Sequence, residues 1–184
     1  MLKRTLALVF IFILLIPIGA LAQDAITLPA AEVDLWPEYD RPDLQNFPNL
    51  NVLVIYHLTL PTDASLPYQM SVRIPASVGE PSAVASRQPD GTLFNLPYDT
   101  NVNGDWSVIS FRATTPEVQI EYYDTNLSKQ GDARHFEYTW NGEYAVDSLV
   151  IQVQQPKGAT EMRISPSLGS GKVATDGLTY YTAA

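Results

Sequence analysis

The sequence predicts an all-β fold: a two-sheet antiparallel β-sandwich of the immunoglobulin-like or jelly-roll-like kind, preceded by a helical signal peptide. Apolar residues alternate with period two along most of the chain after residue 30. Turn dipeptides separate these runs, and no stretch beyond the N-terminal segment has helical periodicity. About ten short strands with frequent turns are typical of a sandwich, and a barrel is the lesser alternative.

Residues 1–22 have the three-part layout of a secretory signal peptide. Lys3 and Arg4 form a basic start, and 5–16 is an apolar run without a charge. Ala20 and Ala22 supply the small residues that precede a cleavage site, so we expect cleavage after Ala22. An uncleaved anchor is the alternative, although a span needs about 20 apolar residues. The sequence therefore predicts an extracytoplasmic protein, secreted or on the outer face of the membrane.

Each predicted strand has an apolar face and a polar face, as expected when a sheet covers a core on one side. The strongest pattern is NVLVIYHLTL at 51–60, which starts as a continuous apolar run and fits a central strand. The other predicted strands are 32–36, 69–75, 106–111, 118–123, 135–140, 149–154 and one that begins at residue 178.

Turn chemistry predicts where the strands end. Asn-Gly and Asp-Gly favour the positive φ angles of tight hairpins. We expect turns at 89–91, 103–104, 141–142, 156–158 and 176–177. The segment 36–48 contains three prolines, which predicts a long loop because proline fits neither a helix nor the interior of a sheet.

Composition limits the possible functions. Residues 23–184 suffice for a single domain with a proper core. The chain has no cysteine, so the core must provide stability without disulfides, and thiol catalysis and cysteine-based metal sites are excluded. The net charge of −9 argues against nucleic acid and anionic membranes as partners.

No catalytic motif is present, so we predict a protein that is not an enzyme and uses no cofactor. The two histidines, His57 and His135, each fall within a predicted strand, and neither is part of a recognisable nucleophile motif. A hydrolase built on two facing carboxylates is a remaining alternative, because twenty acidic residues always permit some pair.

One short pattern resembles the first half of a calcium-binding loop. Alternate residues with side-chain oxygens are followed by a glycine, as such loops require. The twelfth position is Ser110, where a bidentate glutamate is expected, so a plain hairpin closed at 103–104 is the favoured interpretation. The weak candidate metal ligands are Asp99, Asn101, Asn103 and Asp105.

Several aromatic residues are candidates for stacking on sugar rings, which would make the domain a carbohydrate-binding module. The competing interpretation is that these rings pack in the core or at sheet edges. The candidates are Trp36, Tyr39, Tyr122, Tyr123, Tyr138, Trp140, Tyr180 and Tyr181.

At the level of short phrases the mature chain resembles an uncharacterised group of bacterial exported proteins. The phrases are LWPEYDRP (35–42), VIY (54–56), RIPA (73–76), GEP (79–81), EYYD (121–124), QQP (154–156) and DGLTYY (176–181). The resemblance implies a β-sandwich ectodomain followed by a transmembrane helix and, in some members, a small zinc ribbon. It implies no activity and no site residue.

Together these observations predict a non-enzymatic extracytoplasmic binding or scaffold domain, the ectodomain of a membrane-tethered protein. The expected partner is a protein or a carbohydrate at the cell surface. The alternatives are a carbohydrate-binding module and a calcium-stabilised adhesion domain. Because the chain stops inside a predicted strand, we also expect it to be truncated at the C-terminus, with any anchor in the missing part.

Overall fold

The computed structural model describes residues 26–37 and 51–184, and it is all-β, as the sequence predicts. Fifteen strands and one 3₁₀ turn (Ala76–Val78) form over these residues. The strands are β1 (Thr27–Leu28), β2 (Ala30–Pro37), β3 (Val52–Thr59), β4 (Tyr68–Pro75), β5 (Ala83–Arg87), β6 (Leu93–Asn95), β7 (Tyr98–Asn103), β8 (Trp106–Ala113), β9 (Glu117–Asp124), β10 (Ser128–Gln130), β11 (Ala133–His135), β12 (Ala145–Val146), β13 (Leu149–Gln154), β14 (Lys172–Val173) and β15 (Thr179–Ala183).

The largest sheet has eight strands in the order β14-β15-β13-β2-β3-β9-β5-β6. Its centre is β3, which has β2 on one side and β9 on the other. One row across the sheet joins Val33, Tyr56, Ile120 and Val84 at facing positions. All four side chains are buried, so this row lies on the core face of the sheet.

A second sheet has three strands in the order β4-β8-β7. Its inner face carries Val72 opposite Ile109 and Met70 opposite Phe111. These side chains belong to the same buried apolar cluster as Tyr56 of the large sheet. The two sheets therefore share one core, which excludes water from their alternating apolar residues and supplies most of the driving force for folding. Two further sheets are small: β10 pairs with β11, and β1 pairs with β12.

Strand direction differs from the prediction in two places. We expected antiparallel pairing throughout, but β13 runs parallel to β2 and β12 runs parallel to β1. The two parallel pairs join the start of the described chain to strands more than one hundred residues later. Period-two alternation indicates which face is buried, and it carries no information about the direction of the neighbouring strand.

The predicted strand at 135–140 is wrong after its first residue, because 136–140 pairs with no strand. Its alternation is nevertheless real: Phe136, Tyr138 and Trp140 pack against the core cluster while the residues between them are exposed. An extended segment that lies on a core produces the same period of two as a paired strand. The alternation therefore indicates one-sided burial and does not by itself indicate strand pairing.

Three of the five predicted turns close hairpins as expected. They lie between β5 and β6, between β7 and β8, and between β14 and β15. At the second of these, Gly104 has a φ of 61°, a value that glycine adopts without the steric cost that other residues carry. The turns at 141–142 and 156–158 instead lie beside irregular segments.

The predicted signal peptide and most of the predicted loop at 36–48 lie outside the described residues. Within 26–37 and 51–184 there is no helix of the length and apolarity required to cross a membrane.

Candidate functional site

The candidate calcium ligands lie along one face of β7 and in the turn that follows it. Asp99, Asn101 and Asn103 are exposed and alternate along the strand, opposite Ser110, Val108 and Trp106 of β8. In an extended strand alternate residues are about 6.6 Å apart. Calcium ligands must all reach within about 2.6 Å of one ion. The strand geometry thus spreads these oxygens along a line, and within the described part of the chain no three His, Cys, Asp or Glu residues cluster as metal ligands would.

The two histidines occupy different environments. His57 lies on β3, on the face of the large sheet that points away from the core, and its Nε2 is 3.2 Å from Oδ2 of Asp34. His135 lies on β11, where its Nε2 is 3.4 Å from Oε1 of the exposed Glu137. The predicted strand at His57 is confirmed, while His135 lies in a three-residue strand of a separate small sheet.

Asp34 and His57 form a part-buried polar contact on the outer face of the large sheet. Asp34 is 7% exposed, and its Oδ1 and the His57 Nδ1 are both buried without a hydrogen-bond partner. Glu32 and Gln119 occupy the facing positions on either side of His57. A histidine that faces a carboxylate is held in position, but nucleophilic catalysis requires a nucleophile at its other nitrogen. No hydroxyl bonds to either histidine ring in the described ranges.

Three tyrosine hydroxyls meet inside the core, and we call Tyr56, Tyr122 and Tyr138 the tyrosine cluster. The Tyr138 hydroxyl donates to Tyr56 at 3.2 Å, and the Tyr56 and Tyr122 hydroxyls are 3.0 Å apart. The rings also pack edge to face, with centroids 5.6 Å apart for Tyr56 and Tyr122. Trp140 packs in the same way on Tyr56, at 5.3 Å. This geometry fixes the unpaired segment 136–140 to the large sheet.

Burial changes the acidity of these phenols. It raises the pKa of Tyr56 above the ordinary value, because a phenolate would lose its hydration, and hydrogen bonds from the other two hydroxyls offset part of this effect. Burial also raises the pKa of Tyr122 and of Tyr138, and the nearby Tyr56 adds to both shifts. The cluster is therefore neutral at physiological pH and acts in packing and hydrogen bonding.

A small crevice opens beside Trp140, between the large sheet and the edge of β4. Its walls include Tyr56, Val72 and Tyr144, and the space within it is about 10 Å³. That volume holds about one water molecule. The crevice is too small to enclose an organic substrate.

The other predicted aromatic candidates are distributed over different environments. Tyr122 is in the core, and Tyr39 lies outside the described residues. Tyr180 donates to Asp176 at 2.7 Å, and Tyr181 donates to Gln155 at 3.1 Å. The strand register places Trp36, Tyr123 and Tyr180 on the outer face of the large sheet. Trp36 and Tyr123 occupy facing positions on either side of Leu53. Both rings are half-buried.

A different surface was not predicted: the side of the molecule at which both larger sheets end. β6 is the last strand of the large sheet, β7 is the last strand of the three-stranded sheet, and only Leu96 and Pro97 separate them. We call the open sides of these two strands the β6–β7 edge. Because two residues connect the strands, the end of β6 lies close to the start of β7.

Large apolar side chains are exposed at the β6–β7 edge. Leu93 is 40% exposed, Phe94 57% and Val102 62%. The described residues include only two other exposed large apolar side chains, Leu66 and Val173. One sequence signal pointed to this surface, since β7 (YDTNVN) has fewer apolar residues than any strand that crosses the core. The sequence did not indicate that β6 and β7 are the outermost strands.

Comparison with known proteins adds no family: no protein-family model matches the chain, and a search of curated proteins finds no match.

Proposed function

We propose that this chain is a non-enzymatic extracytoplasmic domain that binds or positions another macromolecule at the cell surface. Its fold in this proposal is a two-sheet β-sandwich, and it is the ectodomain of a membrane-tethered protein. The layout of residues 1–22 supports the compartment. The resemblance to bacterial exported proteins supports the tether.

The common core supports the sandwich. The inner faces of the eight-stranded and three-stranded sheets contribute to one buried cluster that includes Val54, Leu58, Ile74 and Phe111. Two sheets that bury their apolar faces against each other are the defining feature of a sandwich. In such a fold the strand edges and the connecting loops remain for recognition.

The observation that carries the binding function is the concentration of exposed apolar side chains on the β6–β7 edge. More than half of the Phe94 and Val102 side chains is exposed to water. The strands that pair with β6 and β7, which are β5 and β8, bury apolar side chains in the core. Exposed apolar side chains that lie along the edge strands of two sheets are candidates for an interaction site. An aromatic side chain such as Phe94 is a type of residue that interfaces favour.

Site-specific photo-crosslinking in the native cell tests this proposal. We would replace Phe94 with a photo-reactive phenylalanine analogue and place the same analogue at Val173 as the control, since that exposed side chain lies at the opposite end of the large sheet. We expect discrete crosslinked products from position 94 and none of those products from position 173. The crosslinks should form on the outer side of the membrane, where external protease digests them in intact cells or spheroplasts.

Two results would overturn the proposal. Identical products from both positions would mean that the edge has no special role in binding. Protection of the protein from external protease, with release only after lysis, would place the domain inside the cell.

Carbohydrate binding is a second candidate, which the placement of Trp36 and Tyr123 supports. The two residues lie on the same face of the sheet, with one strand between theirs. Because neighbouring strands are about 4.8 Å apart, the two rings are separated by roughly 10 Å. Two aromatic faces on one side of a sheet can stack on sugar rings. Affinity electrophoresis through gels that contain soluble polysaccharides tests this candidate. Retardation of the native protein that Trp36→Ala removes, and that Phe94→Ala leaves intact, would support it over protein binding.

A further inference from the structure

We propose that β7 accepts an extended strand of a partner protein, in which basic residues alternate with apolar ones, as a fourth strand of the three-stranded sheet. This inference rests on the proposed binding function and specifies its partner. It is a case of β-strand addition, in which main-chain hydrogen bonds supply affinity and alternate side chains supply specificity.

The register of β7 determines which backbone groups face outward. Asn103 and Trp106 flank a two-residue turn, so each bonds to the other through its backbone N–H and C=O. Asn101 then bonds to Val108 and Asp99 to Ser110 in the same way. The alternate residues of β7, Thr100 and Val102, therefore direct their N–H and C=O groups away from β8.

The other edge of the same sheet is occupied, which supports this register and distinguishes β7. The outward N–H of Ser71 on β4 donates to the Tyr144 hydroxyl at 3.0 Å. Arg73 of β4 forms an ion pair with Glu143 of the same adjoining segment. In the described part of the chain β7 is thus the edge of this sheet that no neighbouring segment pairs with.

β7 also lacks most of the features that usually prevent strand pairing. Natural edge strands are protected by charged side chains, above all lysine, and by proline, bulges or very short length. β7 is six residues long, contains neither lysine nor proline, and forms a continuous ladder with β8. The opposite edge of the large sheet, β14, is only two residues long and includes Lys172. An unprotected edge beside exposed apolar side chains has the properties of a pairing site.

Charge identifies the class of partner. The only charged residues of β7 and its turn are Asp99 and Asp105, both acidic and both exposed. The whole chain has a net charge of −9, so a second copy would approach against long-range repulsion while a basic segment would be attracted. Apolar residues of the added strand would lie on the side of Val102, and basic residues on the side of Asp99.

Hydrogen exchange with a defined peptide tests strand addition. The probe is a synthetic peptide of alternating lysine and valine with blocked ends, and a glutamate–valine peptide of equal length is the charge control. We expect the first peptide to slow amide exchange at Thr100 and Val102 by about tenfold or more, because those N–H groups gain a partner. Exchange at Asn101 should not change, because its N–H already bonds to β8. The acidic peptide should give weaker protection.

Matched variants separate edge pairing from general electrostatic attraction. Val102→Lys introduces the residue that protects natural edges, and we expect it to weaken peptide binding by about tenfold. Val173→Lys adds the same charge at an exposed valine of the opposite sheet edge, and we expect binding within about twofold of the native protein. Circular dichroism of both variants would confirm that they fold.

Three outcomes overturn this inference. Equal losses in the two lysine variants would indicate charge alone, and unchanged exchange at Thr100 and Val102 would exclude pairing. A concentration-dependent dimer that Val102→Lys abolishes would make the occupant a second copy. If position 94 still crosslinks to a partner while these amides remain unprotected, the binding function stands and only strand addition fails.

Discussion

Replacing Tyr56 with phenylalanine tests the role of the tyrosine cluster in stability. The substitution removes one hydroxyl and keeps the ring that packs edge to face on Tyr122 and Trp140. Because Tyr56 is the central member, its loss breaks both hydrogen bonds of the cluster at once. Substitution of Tyr122 or Tyr138 by phenylalanine breaks only one.

The expected cost follows from the number of bonds lost and hydroxyls left without a partner. A net hydrogen bond contributes about 1 kcal/mol to stability, and a stranded buried hydroxyl costs about 1 kcal/mol more. Tyr56→Phe breaks two bonds and strands two hydroxyls, so it should lower the free energy of unfolding by about 4 kcal/mol, whereas Tyr122→Phe or Tyr138→Phe should lower it by about 1 kcal/mol each. The triple variant leaves no hydroxyl stranded, so it should lose about 2 kcal/mol, less than the three single losses together.

Urea unfolding followed by fluorescence measures these differences, with unchanged m values as the condition for comparing them. Tyr180→Phe is the matched control. Its hydroxyl also has two partners, Gln154 at 2.9 Å and Asp176 at 2.7 Å, but it lies close to solvent, where water replaces them. That variant should lose about 0.5 kcal/mol or less.

Additive losses in the triple variant would refute the cooperative interpretation of the cluster. Equal losses for Tyr56→Phe and Tyr180→Phe would likewise mean that the three core hydroxyls are not held in the geometry described above.

Three further predictions concern pH, metal and packing. Because the tyrosine cluster has raised pKa values in the folded state, its stabilising effect is complete below the unfolded tyrosine pKa of about 10 and is lost as pH rises above it. Absorbance of tyrosinate should then show these phenols ionising only with unfolding. Calcium should not raise the melting temperature, and a chelator should not lower it, since the oxygens on β7 lie along an extended strand. Gly142→Ala should destabilise the fold by about 2 kcal/mol, because its Cβ would lie 2.5 Å from the Trp140 ring.

Each of these predictions has a result that contradicts it. Ionisation of all ten tyrosines in one step near pH 10, with the fold intact, would contradict the first. A melting temperature that depends on calcium would contradict the second. For the third, the control is Gly158→Ala, where no atom lies within 4 Å and only the positive φ of 87° is unfavourable. A smaller loss at position 142 than at 158 would show that the Trp140 ring moves without cost.

The sequence alone determined the local features of this protein. Alternation located the strands that begin near residues 52, 68, 106, 117 and 149, and it assigned the buried face of each, as at Val54 and Ile120. Asn103-Gly104 predicted its hairpin because the turn requires a residue that tolerates a positive φ. These properties depend on neighbouring residues, so a single sequence contains them.

Tertiary structure decided everything that depends on which distant residues meet. The parallel pairing of β13 with β2 and the contact between Tyr56 and Tyr138, 82 positions apart, follow from how the two sheets close on one core. The same closure leaves β7 at an open edge and covers β4 with residues 143 and 144. Alternation with a period of two indicates that one face of a segment is buried, but it does not indicate what covers that face. For this reason the sequence could not distinguish a central strand, an open edge strand and the unpaired segment that contains Trp140.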